Sequence, residues 1–363
     1  MSATVPFNAL KPGEDAAAIR AAIDRVIASG WFVLGPEVEA FEREFAEASG
    51  VPHAIGVGTG TDAITLILRG LDIGPGDEVI TAPLSAAYSA LAVMMAGARP
   101  VFTDVDPERL TLDPRHVEAA ITPRTKAVLP VHLYGQAADM RPLEAIAAKH
   151  GLALVEDAAQ AQLATADGRP VGTIGVAAAT SFYPTKNLGA LGDGGAVLTR
   201  DAQLAARIKR LRNGGQTTRY HHEEPGANSR LDEMQAAILR ARLPFLAGWT
   251  TRRRAIARQY REGLAGAVLR VPREFDRGHV YHLFPVLTDS RDAFQHHMRE
   301  RGVETLIHYP VPIPRQPALR AASPAMCPVA DGVCAQIVSL PMYPGLSDTA
   351  VATVVAAAAS FAR

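Results

Sequence analysis

Apolar and polar positions alternate along the first two thirds of the chain in a pattern that predicts helices and strands in turn. Residues 15–28 place apolar side chains on one helical stripe, and 37–48 form a second helix after a break at 31–36. Short apolar runs then predict strands at 54–57, 78–82, 100–104, 126–131, 153–156 and 197–198. Helices are predicted between them at 61–69, 88–96 and 140–150. Such alternation predicts a mostly parallel sheet covered by helices on both faces.

The pattern changes close to Pro244. This proline interrupts a helix predicted over 231–242, and a long arginine-rich helix is predicted over 251–264. The remaining chain predicts a strand at 280–286, a helix at 294–301 and a proline-rich segment at 310–328. We therefore predict an α/β protein with a large domain over residues 1–244 and a smaller C-terminal α/β domain over 245–363.

Composition narrows the class of protein. The 37 basic residues balance 37 acidic ones in the 363-residue chain, so no bulk charge attracts nucleic acid or an anionic membrane. Two cysteines, Cys327 and Cys334, are too few for a disulfide framework or a four-thiolate metal site. The most apolar stretch, 350–359, is too short to span a bilayer, and the N-terminus lacks a secretory pattern. We expect a cytoplasmic protein.

Polar side chains follow three of the predicted strands. Asp104, His132 and Asp157 each come just after a strand. In open α/β sheets, ligands bind beyond the carboxyl ends of the strands. The pattern therefore predicts three polar groups at one edge of the sheet.

Asp157 and Lys186 form the most informative pair of residues. Lys186 lies 29 residues after Asp157, in a loop of small residues, and the chain has only five lysines. Pyridoxal phosphate (PLP) enzymes need a lysine that forms a Schiff base and a carboxylate that keeps the pyridine nitrogen protonated. Gln160 could donate to the phenolate oxygen of the same ring. Taken singly, Lys186 is typical of a surface lysine in a glycine-rich loop, and Asp157 of a solvated acid at a strand end; the pair together favours the PLP interpretation.

A glycine-rich turn at residues 56–63 supplies a candidate phosphate site. Glycines between a strand and a helix leave backbone N–H groups at the helix start, around Gly60 and Thr61. The spacing differs from that of a dinucleotide-binding loop, so a single phosphate is favoured. Ser181 could add a hydroxyl group.

His221 and His222 stand beside two glutamates, which raises the alternative of a zinc site. Adjacent histidines rarely share one metal, so no metal site is predicted. The segment is interpreted as a polar loop before the helix at 231–242. In that loop Asn228 and Arg230 would present an amide and a charge to an anion.

Several long motifs carry a family resemblance. They include Gly-Trp-Phe-Val-Leu-Gly-Pro at 30–36, Pro-Val-His-Leu-Tyr-Gly-Gln at 130–136, Asn-Ser-Arg-Leu-Asp-Glu-Met-Gln at 228–235 and Ile-His-Tyr-Pro-Val-Pro at 307–312. With the Asp157 and Lys186 segments, these resemble the DegT/DnrJ/EryC1/StrS family of nucleotide-sugar aminotransferases, which have the PLP fold-type I. The resemblance covers nearly the whole chain.

The resemblance implies a role for each motif residue. Lys186 would bond to PLP and move the proton, Asp157 would bind the pyridine nitrogen, and Gln160 the ring hydroxyl. The phosphate would be held by Gly60, Thr61 and Ser181. Asn228 would reach the phosphate of the neighbouring subunit's cofactor, which implies a homodimer with shared active sites. The implied substrate contacts are His132, Arg230, His308, Tyr309 and Arg315.

Two positions depart from the family pattern. Many relatives place an aromatic residue over the cofactor where this chain has Ala86. Either Tyr88 or His132 would supply the stacking, or the cofactor ring would be less tightly sandwiched. Relatives often have a histidine near Pro314, where this chain offers Arg315 for a substrate phosphate.

The resemblance implies that glutamate donates the amino group to a nucleotide-linked keto-6-deoxyhexose. The segments at 132–136 and 221–224 favour a dTDP-linked 3-keto sugar, with 4-keto sugars and keto-inositols as alternatives. Dehydratases of this family carry histidine where this chain has Lys186, which argues against dehydration. A non-catalytic regulatory protein on the same fold is a further alternative, disfavoured by the intact Lys186, Asp157 and Gln160.

Overall fold

A computed structural model describes residues 4–319 and 325–362, so the predicted proline-rich segment is described except for 320–324. In chain order the strands are β1 (His53–Val57), β2 (Glu78–Thr81), β3 (Arg99–Phe102), β4 (Thr125–Leu129), β5 (Ala153–Asp157), β6 (Thr165–Ala166), β7 (Arg169–Pro170), β8 (Ala177–Ser181), β9 (Gly195–Thr199), β10 (Gln216–Thr218), β11 (His221–His222), β12 (Phe284–Leu287) and β13 (Ile337–Leu340).

Helices connect most of these strands. They are α1 (Ala16–Ser29), α2 (Pro36–Ser49), α3 (Gly60–Gly70), α4 (Tyr88–Met95), α5 (Pro114–Val117), α6 (Met140–His150), α7 (Ala202–Leu211), α8 (Glu233–Arg242), α9 (Leu246–Gly263), α10 (Arg291–Glu300), α11 (Pro328–Gln336) and α12 (Asp348–Ala359). Within the described residues, no helix is both long and apolar enough to cross a membrane.

Seven strands form one sheet in the order β1-β9-β8-β5-β4-β2-β3. The five strands from β8 to β3 pair in parallel, and β9 runs antiparallel to both β1 and β8. This confirms the predicted mostly parallel sheet. The strand predicted at 197–198 is also confirmed and extends over β9.

Successive residues of the strands belong to different hydrophobic cores, because strand side chains point to opposite faces in turn. In β2, Val79 packs into one core and Ile80 into another, and in β5 the same holds for Val155 and Leu154. Both faces of the sheet are therefore buried. This explains why β4 and β5 contain consecutive apolar residues, Ala-Val-Leu and Ala-Leu-Val, in place of alternating ones.

The sequence analysis missed β8. Its residues, Ala-Ala-Ala-Thr-Ser, have high helix propensity apart from the last two, so the pattern did not indicate a strand. In the structure β8 lies between β5 and β9, and its first three alanines are almost fully buried. Small side chains suit a central strand that is packed closely on both faces.

The strand predicted at 280–286 is displaced toward the C-terminus. β12 covers Phe284–Leu287 and pairs antiparallel with β13. The preceding residues form hydrogen bonds outside the sheet. The N–H of Val280 donates to the Gly135 carbonyl, and Arg253 donates to the Tyr281 carbonyl at 3.1 Å. These contacts to distant parts of the chain prevent residues 280–282 from joining the ladder.

Residues after α8 supply most of a further hydrophobic core around β12 and β13. Phe294, Val338 and Val354 are buried there, together with Val5 from the N-terminal segment. The N-terminal segment therefore packs on the C-terminal part of the chain.

Candidate active site

The carboxyl ends of β1, β5 and β8 lie at one edge of the large sheet. β5 ends at Asp157, β8 ends at Ser181, and β1 ends at Val57 just before the glycine-rich turn. Gly195 begins β9 at the same edge, because it pairs with both Val57 and Ser181. Four neighbouring strands thus gather the predicted phosphate turn and the predicted ring contacts.

The turn between β1 and α3 is packed too tightly for side chains. A Cβ added to Gly60 would lie 2.8 Å from the Cβ of Ser181, and one added to Gly195 would lie 2.4 Å from the carbonyl carbon of Thr59. Thr59 caps α3 through its hydroxyl group. The first N–H groups of a helix, here those of Gly60 and Thr61, have no partner within the helix. With the neighbouring Ser181 hydroxyl they form a cradle suited to an anion such as phosphate.

The Asp157 carboxylate is held in one orientation at this edge. Its Oδ2 accepts a hydrogen bond from Ser89 Oγ at 2.7 Å, and its Oδ1 accepts one from the Ala159 N–H at 3.1 Å. The residue is only 5% exposed. A buried carboxylate with a fixed direction is well suited to pair with a cationic ring nitrogen.

The loop after β8 brings Lys186 toward Asp157. Burial lowers the pKa of the Lys186 amine to about 8, and the charge of Asp157 partly opposes this shift. Gln162 fixes the loop because its Nε2 donates to the carbonyls of Ser181 and Leu188 at 2.6 and 3.2 Å. An amine with this pKa is partly unprotonated near neutral pH, which is the form that attacks an aldehyde.

The Gln160 amide is oriented by two partners. Its Oε1 accepts the backbone N–H of Tyr134 at 2.7 Å, and its Nε2 donates to the Tyr309 hydroxyl at 3.0 Å. Because a backbone N–H only donates, the oxygen and nitrogen of the amide are distinguished. Nε2 carries a second hydrogen and can donate to a ligand as well.

His308 and Tyr309 lie on a segment that reaches the site from the C-terminal part of the chain. The His308 ring stacks on Phe7 with centroids 5.5 Å apart, and its Nδ1 lies 3.0 Å from Ser339 Oγ. Burial lowers the pKa of His308 to about 4, and the Lys186 charge adds to this. Burial also raises the pKa of Tyr309 to about 12. At neutral pH His308 is therefore uncharged and Tyr309 keeps its proton.

Three further predicted residues lie on segments that adjoin this edge of the sheet, through the contacts of Ser89 with Asp157 and of Ser229 with Gly58. Tyr88 begins α4, is 63% exposed and precedes Ser89, whose hydroxyl binds Asp157. Asn228 is exposed and precedes Ser229, whose hydroxyl accepts the Gly58 N–H at 2.9 Å. Arg230 is half-buried and donates to the side chain of Asn213 at 3.2 Å.

Both ring nitrogens of His132 have partners within the protein, contrary to the expectation that this residue contacts the substrate or stacks on the cofactor. Its Nδ1 accepts the Ala138 N–H at 3.0 Å, and its Nε2 lies 3.1 Å from the Glu156 carboxylate. Its exposed fraction is 0%. The structure thus leaves His132 neither a ring nitrogen for a substrate nor an exposed face for stacking on a cofactor. The Glu156 carboxylate also accepts hydrogen bonds from three backbone N–H groups, so the pair of His132 and Glu156 fixes the loop at 172–175.

Asp104 and Arg315 also have partners away from the sheet edge. The Asp104 carboxylate accepts the N–H groups of Val329 and Ala330, at 2.8 and 3.0 Å, and so caps the start of α11. Two donors of Arg315 bind the Asp331 carboxylate at 2.8 and 3.1 Å. The expectation that Asp104 points into the site is therefore wrong, and the charge of Arg315 is already neutralised.

The sequence analysis missed three residues that orient the site. They are Ser89 beside Asp157, Tyr134 beside Gln160, and Gln162 beneath the Lys186 loop. Tyr134 lies inside a motif used for the family resemblance, so that motif was the available signal. Ser89 and Gln162 gave no signal, because their partners are known only once the chain is folded.

A desolvated lysine beside a buried carboxylate, with an anion cradle on the same edge of an α/β sheet, defines a PLP-dependent enzyme. The chain belongs to the DegT/DnrJ/EryC1/StrS aminotransferase family, whose sequence profile matches residues 14–359. It is therefore an aminotransferase with the PLP fold-type I.

Two relatives and one solved structure illustrate the similarity. The chain is 50% identical to dTDP-3-amino-3,4,6-trideoxy-alpha-D-glucose transaminase of Streptomyces venezuelae, over 94% of this chain and 92% of the relative. It is 45% identical to UDP-N-acetyl-3-dehydro-alpha-D-glucosamine 3-aminotransferase of Acidithiobacillus ferrooxidans, over 92% and 90%. The crystal structure of S. venezuelae DesV in complex with a ketimine intermediate superposes with a TM-score of 0.97 at 48% identity, covering 100% of both chains.

The low pKa of Lys186 leads to a test in the absence of any substrate. We expect the rate at which the apoprotein captures PLP to rise with pH and to be half-maximal near pH 8, because only the unprotonated amine reacts. Stopped-flow absorbance between pH 6.5 and 9.5 would measure this rate, with Lys186→Ala as the blank. A rate that still rises about tenfold per pH unit up to pH 9.5, as the ordinary lysine value of 10.5 requires, would show that the amine is not desolvated.

Proposed function

We propose that this enzyme transfers the amino group of glutamate to the C3 ketone of a dTDP-linked 3-keto-6-deoxyhexose. The observation that carries the proposal is the joint placement of Lys186, Asp157 and the Gly60 turn at one sheet edge. The choice of C3 is supported by the two relatives described above, since both names place the amino group at position 3. The dTDP group and the deoxysugar follow the relative with the higher identity.

Each residue at the sheet edge has a proposed task. Lys186 would bond to the cofactor through its unprotonated amine, and the same amine, once free, would move a proton to or from the substrate carbon. Asp157 holds the pyridine nitrogen protonated, and the Gln160 amide donates to the ring hydroxyl. The phosphate is bound by Gly60, Thr61 and Ser181. The bound cofactor supplies an electron sink, and a water-poor site strengthens the attraction of Asp157 for the ring.

Substrate contacts are proposed from the rim of the site. Tyr309 keeps its proton and can donate to a sugar oxygen, and the neutral His308 ring can accept or donate beside it. Tyr88 is exposed nearby and takes the place of the aromatic residue absent at Ala86. Arg230 is the proposed charge for a substrate phosphate. His132 and Arg315 are left out, because their polar atoms are occupied.

We further propose a homodimer in which Asn228 binds the phosphate of the partner's cofactor. Trp31 and Phe32 are 57% and 53% exposed, although Glu233 fixes the adjoining backbone by accepting the Gly35 N–H at 2.8 Å. Tyr183, in the Lys186 loop, is 52% exposed as well. Exposed aromatic side chains on a backbone that is held in place are typical of an interface.

Mixed dimers test this arrangement. We expect Lys186→Ala and Asn228→Asp proteins to be inactive alone, since the carboxylate introduced by the second substitution would repel the cofactor phosphate. After joint unfolding and refolding, hybrids should regain activity at one site, which combines Lys186 of one subunit with Asn228 of the other. Each protein refolded alone is the control. Failure of the mixture to recover activity would contradict the shared site.

The substrate class can be assigned by parallel assays. We expect amination of a dTDP-linked 3-keto-6-deoxyhexose at least about 100-fold faster, in kcat/KM, than of the 4-keto isomer, since a misplaced ketone loses alignment with Lys186. A UDP-linked 3-keto sugar and a keto-inositol complete the set. Amination confined to the 4-keto sugar or the inositol would overturn the assignment. Product formed only from the UDP sugar would overturn the choice of nucleotide.

We also propose the domain division at 244/245 and a cytoplasmic location. The division is supported by the hydrophobic core formed mainly by residues after 245. The location is supported by Cys327 and Cys334, which are buried free thiols whose pKa is raised to about 12. Thiols of this kind suit a reducing compartment.

A further inference from the structure

Tyr134 has a contact at each end that the proposed function does not use. Its backbone N–H donates to Gln160 Oε1 at 2.7 Å, and its hydroxyl donates to the His308 carbonyl at 2.6 Å. Gln160 Nε2 in turn donates to the hydroxyl of Tyr309, the residue after His308. These three hydrogen bonds, together with the peptide link between His308 and Tyr309, form a closed ring of contacts through Tyr134, Gln160, Tyr309 and His308.

Tyr134 makes these contacts from an unusual backbone conformation. Tyr134 adopts the left-handed conformation, with φ of 59° and ψ of 5°, which is uncommon for a residue with a side chain. The conformation directs its N–H at Gln160, and the side chain is only 4% exposed. The next residue, Gly135, has φ of 97°, and a Cβ there would lie 2.9 Å from the backbone nitrogens of Tyr281 and His282. Two successive unusual backbone positions thus bring this turn against the C-terminal part of the chain.

This closed set of contacts also determines where the Tyr309 hydroxyl hydrogen and the second Gln160 amide hydrogen point. A tyrosine hydroxyl has one hydrogen, and the Tyr309 oxygen already accepts the Gln160 amide hydrogen. Its own hydrogen must therefore point elsewhere, and its raised pKa keeps that hydrogen in place at neutral pH. Gln160 likewise keeps one amide hydrogen for a ligand.

We propose that Tyr134 is a positioning residue that aligns Gln160 and Tyr309 as a pair, so that one presents an N–H to the cofactor and the other an O–H to the substrate. The alignment joins residues from the two proposed domains, 1–244 and 245–363. The inference rests on the proposed function only in taking cofactor and substrate as the ligands of this pair. Loss of the Tyr134 hydroxyl would free the His308 carbonyl and let Tyr309 move relative to Gln160.

The test is Tyr134→Phe, and the chain offers a matched control in Tyr260→Phe. Tyr260 is fully buried and donates its hydroxyl to the Pro341 carbonyl at 2.8 Å, away from Gln160. We expect both variants to lose stability, each having lost a buried hydroxyl-to-carbonyl bond. Only Tyr134→Phe should change the visible circular dichroism of bound PLP, weaken PLP binding, and raise KM for the keto sugar by about 10-fold. Identical spectra, PLP affinity and KM for the two variants would overturn the proposal.

A double-mutant cycle with Tyr309→Phe adds a test that needs neither cofactor nor substrate. In the apoprotein, we expect the stability losses of Tyr134→Phe and Tyr309→Phe to be non-additive, because both act on one ring. Losses for Tyr260→Phe and Tyr309→Phe should add. Additivity in both cycles would overturn the ring. Failure of the wild-type enzyme to aminate any sugar would count against the proposed function alone, because the apoprotein cycle does not depend on it.

Discussion

Replacing Lys186 by alanine should abolish the yellow colour of the bound cofactor and reduce transamination by on the order of 10⁴-fold or more. The physical reason is that the other four lysines, Lys11, Lys126, Lys149 and Lys209, are exposed on the surface of the described structure. Lys186 is the lysine that burial leaves with a pKa of about 8, and it faces the charge of Asp157. Absorbance spectra of the purified variant, reconstituted with PLP, and a transamination assay measure the two effects.

A control for the lysine variant is Lys149→Ala. Lys149 lies in the last turn of α6, is 67% exposed and pairs with Glu118 at 2.6 Å. Exposed ion pairs contribute little to stability, so this variant should keep both colour and turnover. An undiminished visible absorption in the Lys186→Ala protein would contradict the assignment of the covalent site.

Replacing Asp157 by asparagine should leave cofactor binding largely intact and lower turnover by on the order of 10²- to 10⁴-fold. Asparagine has nearly the same shape. Its oxygen can keep the Ala159 N–H, and its NH₂ can donate to the Ser89 hydroxyl oxygen, which accepts as well as donates. The substitution removes the negative charge that keeps the pyridine nitrogen protonated. Measurements of PLP affinity and of kcat in parallel separate these two consequences.

Asp104→Asn serves as the matched control for this substitution. Asp104 also follows a strand and is 6% exposed, against 5% for Asp157, but its carboxylate caps α11. An asparagine there would turn its NH₂ toward a backbone N–H. We therefore expect a lower melting temperature with unchanged kcat, the opposite division of effects. Near-normal turnover by Asp157→Asn would contradict the proposed role of Asp157.

The sequence predicted the sheet because its strands are buried on both faces and therefore read as apolar runs. It failed for β8, where three alanines gave a helical signal, and for residues 280–282. The carbonyls of Tyr281 and His282 bind Arg253, about 28 residues away, and a local pattern contains no trace of such a bond.

The active site likewise contains residues that the sequence predicted and residues that it did not. Sequence reasoning paired Asp157 with Lys186, because a strand end and a loop composition are local features. Of the three residues expected at one edge, Asp104, His132 and Asp157, only Asp157 is directed to the site. The contacts that orient the site were not predictable. Ser89 reaches Asp157 across 68 positions, and Tyr134 reaches His308 across 174. His132 follows a strand as Asp157 does, yet it is directed to Glu156 and not to the site.

The proposed reaction consists of two half-reactions that can be observed separately in the wild-type enzyme. Adding glutamate alone to the PLP-loaded protein should remove the visible absorption of the cofactor. Adding one equivalent of the dTDP-linked 3-keto-6-deoxyhexose should then restore it, with one amino sugar formed per active site. A spectrum that glutamate leaves unchanged, or that the keto sugar fails to restore, would contradict the account.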